Sequence, residues 1–406
     1  MQIRLKDKCL FGDEINLPGS KSLSNRFLMI RAISESNSEL PGLSEARDTQ
    51  LLIKALQGEK SICDFADGAT PYRFFLAYCV AFQKTFTLTG AQGLYLRNIE
   101  SFIAALKALG AEIEYLGIEG FPPVKIKKGI DSFKSVTINA DISSQFVSAI
   151  MLIAPLFSGV KTIYLSGNKN AGFAYIKMTA ECMKIAGVSS DIAENRITIQ
   201  AGKYDLPAEL NIESDWSSAS WFYSLCACNP GSYFFLMGLT KTSMQGDANT
   251  PLFFNSLGIE TNYIGTDVRI SSNKIIHQNL EFDLKNNIDL APALIATCAF
   301  LRKNAVFYGI ENLIHKESNR IISINENLKY FGAKMIQKDN CWELHILSEP
   351  KIEEPVFIKT FSDHRIAMAF SIFALKYHLQ YDDAECVIKS FPGFWKQLEK
   401  CNFVYS

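Results

Sequence analysis

Four times along the chain an amphipathic helix pattern stops at a glycine and a strand pattern begins. The stretches are LKALGAEI (106–113), MKIAGVSS (183–190), FNSLGIET (254–261) and LKYFGAKM (328–335). A glycine there supplies the left-handed residue that ends a helix, a conformation most other residues resist. The four glycines, Gly110, Gly187, Gly258 and Gly332, are separated by 77, 71 and 74 residues. That regularity fits a duplicated α/β unit, larger than a solenoid repeat. Unrelated helix–glycine–strand junctions of an ordinary α/β protein are the alternative. Between the junctions lie β-branched runs such as KTIYL (161–165) and RITIQ (196–200). Helices and strands therefore alternate, which predicts α/β or α+β layers.

A chain of 406 residues exceeds one ordinary core and predicts two domains of roughly 200 residues each. The formal net charge of −1 leaves no global basic field, which argues against a nucleic-acid partner. Ten cysteines are scattered; the close pair, Cys226 and Cys228, has no metal-ligand spacing, so no metal is expected. With no secretory leader, reduced thiols and a cytoplasmic location are the expectation. The most apolar stretches, 146–157 and 290–301, fall short of the roughly 20 residues a membrane helix needs. They read as core helices, with no membrane partner.

Chemistry-bearing residues gather where helices should begin. LPGSKSLSNR (17–26) places Lys21, Ser22, Ser24 and Arg26 behind a Pro-Gly turn. If residues 20–26 open a helix, its free N–H groups and dipole attract an anion. A phosphate-binding P-loop is excluded, because the first glycine is missing and Ser20 separates Gly19 from Lys21. A serine-capped helix with a solvated basic face is the alternative. DISSQF (141–146) and SDWSSAS (214–220) each read, alone, as a capped apolar helix. In HKESNR (315–320), one helix would put Lys316 and Arg320 on a common face beside Glu317; a surface ion-pair ladder is the alternative. FSDHRIAMAF (361–370) sets Asp363, His364 and Arg365 at the mouth of an apolar helix, unusual for mere surface. Asp289 in NIDLAPALIA (287–296) reads as a helix cap, and Lys389 in IKSFPGF (388–394) says little alone.

Taken in order, LPGSKSLSNR, SSQ, SDWSSAS, KESNR, SDHR and KSFPGF resemble the enolpyruvyl transferases, and within them the 5-enolpyruvylshikimate-3-phosphate synthases. The resemblance runs over residues 15–398. It implies an α/β (α+β) fold of two similar domains, each of three βαβαββ units around a pseudo-threefold axis, with the active site in the interdomain cleft. It implies a discontinuous domain of residues 1–19 plus 215–406 and a continuous domain of residues 20–214. It further implies transfer of the enolpyruvyl group of phosphoenolpyruvate to the 5-hydroxyl of shikimate 3-phosphate, by a monomer with no cofactor, through addition and then elimination of phosphate. By the same resemblance, Ser22, Arg26, Ser143, Ser144, Tyr175, Asn312 and Lys316 hold shikimate 3-phosphate. Lys21, Gln145, Arg320, Arg365 and Lys389 hold phosphoenolpyruvate. Asp289 takes the hydroxyl proton, and Glu317 with Lys21 handles the proton at the methylene carbon.

The departures from that pattern are clustered. The family's glycine-rich loop reads Gly68-Ala69-Thr70-Pro71-Tyr72-Arg73; Ala69 narrows the approach of phosphoenolpyruvate to the backbone, and Pro71 removes a donor. In GAQGLYLRN (90–98) the family's first arginine is Gly93, while Arg97 matches the second. Arg97 is a candidate to replace the missing charge. A ring-binding serine of the family falls at Gly172. Three readings follow: a working synthase with altered ligand handling, a transferase for another acceptor such as UDP-N-acetylglucosamine, and a homologue that binds phosphorylated ligands without turnover.

Overall fold

One strand plan recurs in five four-stranded sheets. In four of them, taken in chain order, the first two strands pair in parallel and the fourth lies between the second and third in antiparallel register; the fifth keeps the plan with a strand from the start of the chain in the fourth place. A helix follows the first strand and another the second, giving a βαβαββ unit. The computed structural model describes residues 1–58, 61–140, 143–167, 172–272, 277–350 and 352–406. Two units form, one of Met1–Gly19 with Glu213–Ser406 and one of Ser20–Ile212.

The discontinuous unit holds three copies of the plan. The first begins with Gly12–Asn16, which pairs in parallel with Tyr233–Met237 although the whole of the other unit intervenes in sequence. The second spans Glu281–Asp283, Ala305–Tyr308, Ala333–Lys338 and Cys341–Ile346. The third is closed by the two chain ends: Gln2–Leu5 fills its fourth place, pairing Ile3 with Leu379 on one side and Tyr405 on the other. The continuous unit holds two copies, with Ile62–Asp64 and Ser135–Asn139 as their first strands. The helices Lys21–Ile33 and Arg47–Gln57 stand as a third pair, and no strand is assigned between them among the described residues.

Burial explains the layering. Strands alternate, as in Lys161–Ser166, where every second residue is buried, so each sheet puts one face to water. Some helices are apolar all round and sit inside, whereas others, such as Arg47–Gln57, keep one face exposed. Every residue of Ala291–Phe300 is buried, as is all of Trp216–Cys228 except Ser217. Of the two segments expected as core helices, 290–301 is the buried helix Ala291–Phe300, and 146–157 is buried helix to Ile153 and then a 3-10 turn that ends at the exposed Leu156. The four junction glycines have φ between +63° and +100°, which is why helix ends were legible there.

Two local expectations fail. HKESNR is not one helix: a 3-10 turn ends at His315, Lys316 is extended, and the helix begins at Arg320 with Asn319 as cap. The Asn319 side chain takes the N–H of Ile322 at 3.2 Å, which starts the helix later than the charge spacing suggests. Nor is Asp289 a cap. It lies within the 3-10 turn Ile288–Leu290, before the helix Ala291–Phe300, and its carboxylate faces cations instead. The stretch after Gly68 is also helical from Ala69. There the missing N–H of Pro71 costs the helix nothing, because first-turn donors have no intrahelical partner.

Candidate active site

Four of the polar motifs lie at the N-termini of largely buried helices, Lys21–Ile33, Ser144–Ile153, Trp216–Cys228 and His364–Phe370, where free N–H groups need acceptors. Ser20 takes the N–H of Leu23 at 3.4 Å, Asp215 that of Ser218 at 2.7 Å, and Asp363 that of Arg365 at 3.0 Å. Capping accounts for one polar group per helix. The remainder form two clusters, one in each unit. The acid at position 141, quoted above with the serine pair, lies outside the described residues.

In the discontinuous unit the centre is Arg320, the first residue of its helix and 1% exposed. Its Nε donates to Asp363 Oδ2 at 2.8 Å, its Nη1 reaches Asp289 Oδ1 at 3.3 Å, and its Nη2 meets Glu317 Oε2 at 2.5 Å. Burial alone would lower the pKa of this guanidinium, but Asp363, Glu317 and Asp289 outweigh it and hold the pKa above its ordinary value. Two further cations share Asp289: Lys316 Nζ at 3.1 Å and Arg365 Nη2 at 3.3 Å. Lys389, buried at the end of a 3-10 turn, approaches Glu317 Oε1 at 3.8 Å. Asn312 lies in the turn Glu311–His315 that leads into Lys316. The structure thus gathers Asp289, Glu317, Lys316, Arg320, Arg365 and Lys389 from four separate motifs.

In the continuous unit Lys21 is the first helical residue, and its Nζ donates to Asp48 Oδ2 at 3.3 Å. Arg26 lies one turn deeper and is 2% exposed. It donates to Thr179 Oγ1 at 2.8 Å, the Ser22 carbonyl at 2.8 Å, Ser148 Oγ at 3.2 Å and the Tyr175 carbonyl at 3.2 Å. All four are neutral. Burial therefore pushes the Arg26 pKa below its ordinary value, with only weak opposition from Cys182 and Tyr175. Ser143 caps the helix Ser144–Ile153 through the N–H of Gln145 at 3.2 Å. Ser144 sits against Gly172: a Cβ on that glycine would lie 2.7 Å from Ser144 Oγ. Ala69 is buried at the start of its helix, next to Gly68, whose added Cβ would come 3.2 Å from Asp48 Oδ1. Arg97 is half-buried just past the short helix Gln92–Tyr95, and its N–H donates to Leu94.

Sequence reading missed four participants. Asp48 holds Lys21, Asp363 anchors Arg320, Arg73 holds Ser143 and Gln145, and Asp247 lies near Asp289 and Arg365. Asp363 and Arg73 stood in quoted motifs, but nothing local marked them as partners of distant residues.

Repeated βαβαββ units whose buried helices begin with cations and carboxylates define the enolpyruvyl-transferase class of fold. Two solved structures share it. One is the EPSP synthase from Acinetobacter baumannii, with TM-score 0.76, 22% identity and 98% of each chain covered. The other is the enolpyruvyl transferase NikO from Streptomyces tendae, with TM-score 0.75, 10% identity, and 100% of this chain and 98% of that one covered. At these identities they speak to fold alone. The family model for EPSP synthase (3-phosphoshikimate 1-carboxyvinyltransferase) matches residues 10–67 and 57–398. A 3-phosphoshikimate 1-carboxyvinyltransferase of Bacteroides fragilis (strain YCH46) is 35% identical, covering 96% of this chain and 95% of the relative. One from Sulfurovum sp. (strain NBC37-1) is 31% identical, with 98% of each covered. The chain belongs to the EPSP synthase family.

Proposed function

We propose that the chain transfers the enolpyruvyl group of phosphoenolpyruvate to the 5-hydroxyl of shikimate 3-phosphate and releases phosphate. The observation that carries this reading is the Asp289–Glu317–Arg320 cluster in a member of the EPSP synthase family. A base, an acid and anion-binding cations are fixed on one set of helix starts.

Both substrates are polyanions, so desolvating them calls for charged donors. Arg26 supports the binding role: it is a buried cation with four neutral acceptors, and an anionic ligand would supply the missing countercharge. With Ser22, Ser143, Ser144 and Tyr175 of its own unit, it would hold shikimate 3-phosphate. Lys21, Gln145, Arg320, Arg365 and Lys389 hold phosphoenolpyruvate; the planar arginine fork fits its carboxylate and phosphate oxygens two at a time.

In the addition step the 5-hydroxyl oxygen bonds to C2 while Asp289 takes its proton. The methylene carbon gains a proton from Glu317 or Lys21, leaving a tetrahedral intermediate. In the elimination step the methyl group returns a proton, the C–O bond to phosphate breaks, and phosphate leaves with the electron pair. Acid and base must differ in environment for this exchange. Here Asp289 sits among three cations, whereas Glu317 has Arg320 and Lys389.

No helix among the described residues is long and apolar enough to cross a membrane. Calorimetric titration discriminates acceptors: shikimate 3-phosphate should give a saturable heat and UDP-N-acetylglucosamine none. Saturable binding of the nucleotide sugar alone would assign a different acceptor.

A further inference from the structure

Arg73 stands outside the roles assigned so far, yet it lies between two of the substrate-binding candidates. It comes from the helix Ala69–Ala81 and is 5% exposed. Its guanidinium lies 4.8 Å over the ring of Phe146, a fully buried residue stacked on Phe102 at 5.1 Å. That ring fixes the plane from which the guanidinium donates. Nη1 reaches Gln145 Oε1 at 2.5 Å and Ser143 Oγ at 3.3 Å.

A guanidinium only donates, so whatever faces it must accept. Gln145 therefore turns its carbonyl oxygen to Arg73, and its two amide N–H bonds point elsewhere. The Ser143 hydroxyl already accepts the N–H of Gln145 at 3.2 Å as the helix cap. With Arg73 as its second donor, both lone pairs of that oxygen are taken, and only the O–H remains to give. The acceptor atoms that would repel an anion are turned inward.

We infer that Arg73 is a positioning residue that makes Ser143 and Gln145 pure donors, so that the start of the helix Ser144–Ile153 offers its ligand donors and no acceptors. This rests on the proposed substrate binding at Ser143 and Gln145. Without Arg73 the hydroxyl can rotate and the amide can flip, and either then presents an acceptor to the ligand.

The test is steady-state kinetics of the intact chain with both substrates. Arg73→Met should raise KM for shikimate 3-phosphate and for phosphoenolpyruvate about tenfold or more, with kcat within about threefold. Arg73→Lys, which also only donates, should recover most of that loss. Ser143→Ala should raise KM for shikimate 3-phosphate about tenfold in the native background and much less in the Arg73→Met background, because the two act as a unit. Gln145→Glu keeps the Arg73 partner but replaces the outward donors with an acceptor. It should raise KM for phosphoenolpyruvate about thirtyfold without loss of thermal stability, and it serves even if Arg73→Met does not fold. Unchanged KM values in Arg73→Met or Gln145→Glu, or equal effects of Ser143→Ala in both backgrounds, would overturn the inference while leaving the substrate reading intact. A Ser143→Ala variant of native KM in the native background would remove the substrate assignment itself, and this inference with it.

Discussion

Asp247 shows how a single residue can be costly to the fold and still have a place at the site. It is 5% exposed, accepts from the Ser217 hydroxyl, and lies 3.5 Å from the Asn287 amide. Its carboxyl is pushed up to about 6, first by burial and then by the charge of Asp289, against the pull of Arg365 and Ser217, with Asp215 adding to the rise. A folded pKa above the unfolded one means that the stabilising contribution is complete below about pH 4 and is lost as pH rises through about 6. At pH 7 the ionised group costs the fold roughly 2–3 kcal/mol. Asp247→Asn should therefore melt about 5 °C above the native chain at pH 7, with the gap closing near pH 4. Equal melting temperatures at both pH values would contradict this. The two glycine departures make opposite predictions. Gly93 is exposed, and an added Cβ meets nothing within 4 Å, so Gly93→Arg should fold and lower KM for phosphoenolpyruvate about three- to tenfold. Gly172 has φ +74° and crowds Ser144, so Gly172→Ser should raise KM for shikimate 3-phosphate. A lowered KM there would show that the serine is accommodated.

At the scale of elements, what was legible is what local chemistry decides. Helix starts could be read because Ser20, Ser143 and Asp215 each satisfy a backbone N–H only a few residues away. Helix ends could be read from the junction glycines, which nonetheless differ in what holds them. At Gly187, φ is +83° and an added Cβ meets nothing within 4 Å; Gly187→Ala should cost about 1 kcal/mol of backbone strain alone. At Gly332, φ is +63° and the added Cβ would lie 2.2 Å from the Ser348 carbonyl oxygen, so Gly332→Ala should cost about 3 kcal/mol or more. Urea midpoints of the two variants check the contrast, and equal shifts would refute it. The start at Arg320 was misread because charge spacing fits a helix, while the Asn319 cap overrules it. Asp48, Arg73 and Asp247 were not legible as partners, since each meets residues from other motifs that only tertiary packing brings close.

For the whole molecule, the regular glycine spacing was the trace of a repeated βαβαββ plan, now seen in five sheets. What the spacing could not reveal is that the third copy of the discontinuous unit is closed by both chain ends. In the discontinuous unit the same plan brings Asp289, Glu317, Arg320 and Arg365 together from three separate motifs without any contiguous signature. The most direct measurement is phosphate release by purified protein given phosphoenolpyruvate and shikimate 3-phosphate, with Asp289→Ala and Glu317→Ala in parallel. Release that requires both substrates and falls by about a hundredfold or more in each variant is the predicted result. No release from the folded native chain at saturating substrate, or release that survives both substitutions, would contradict it.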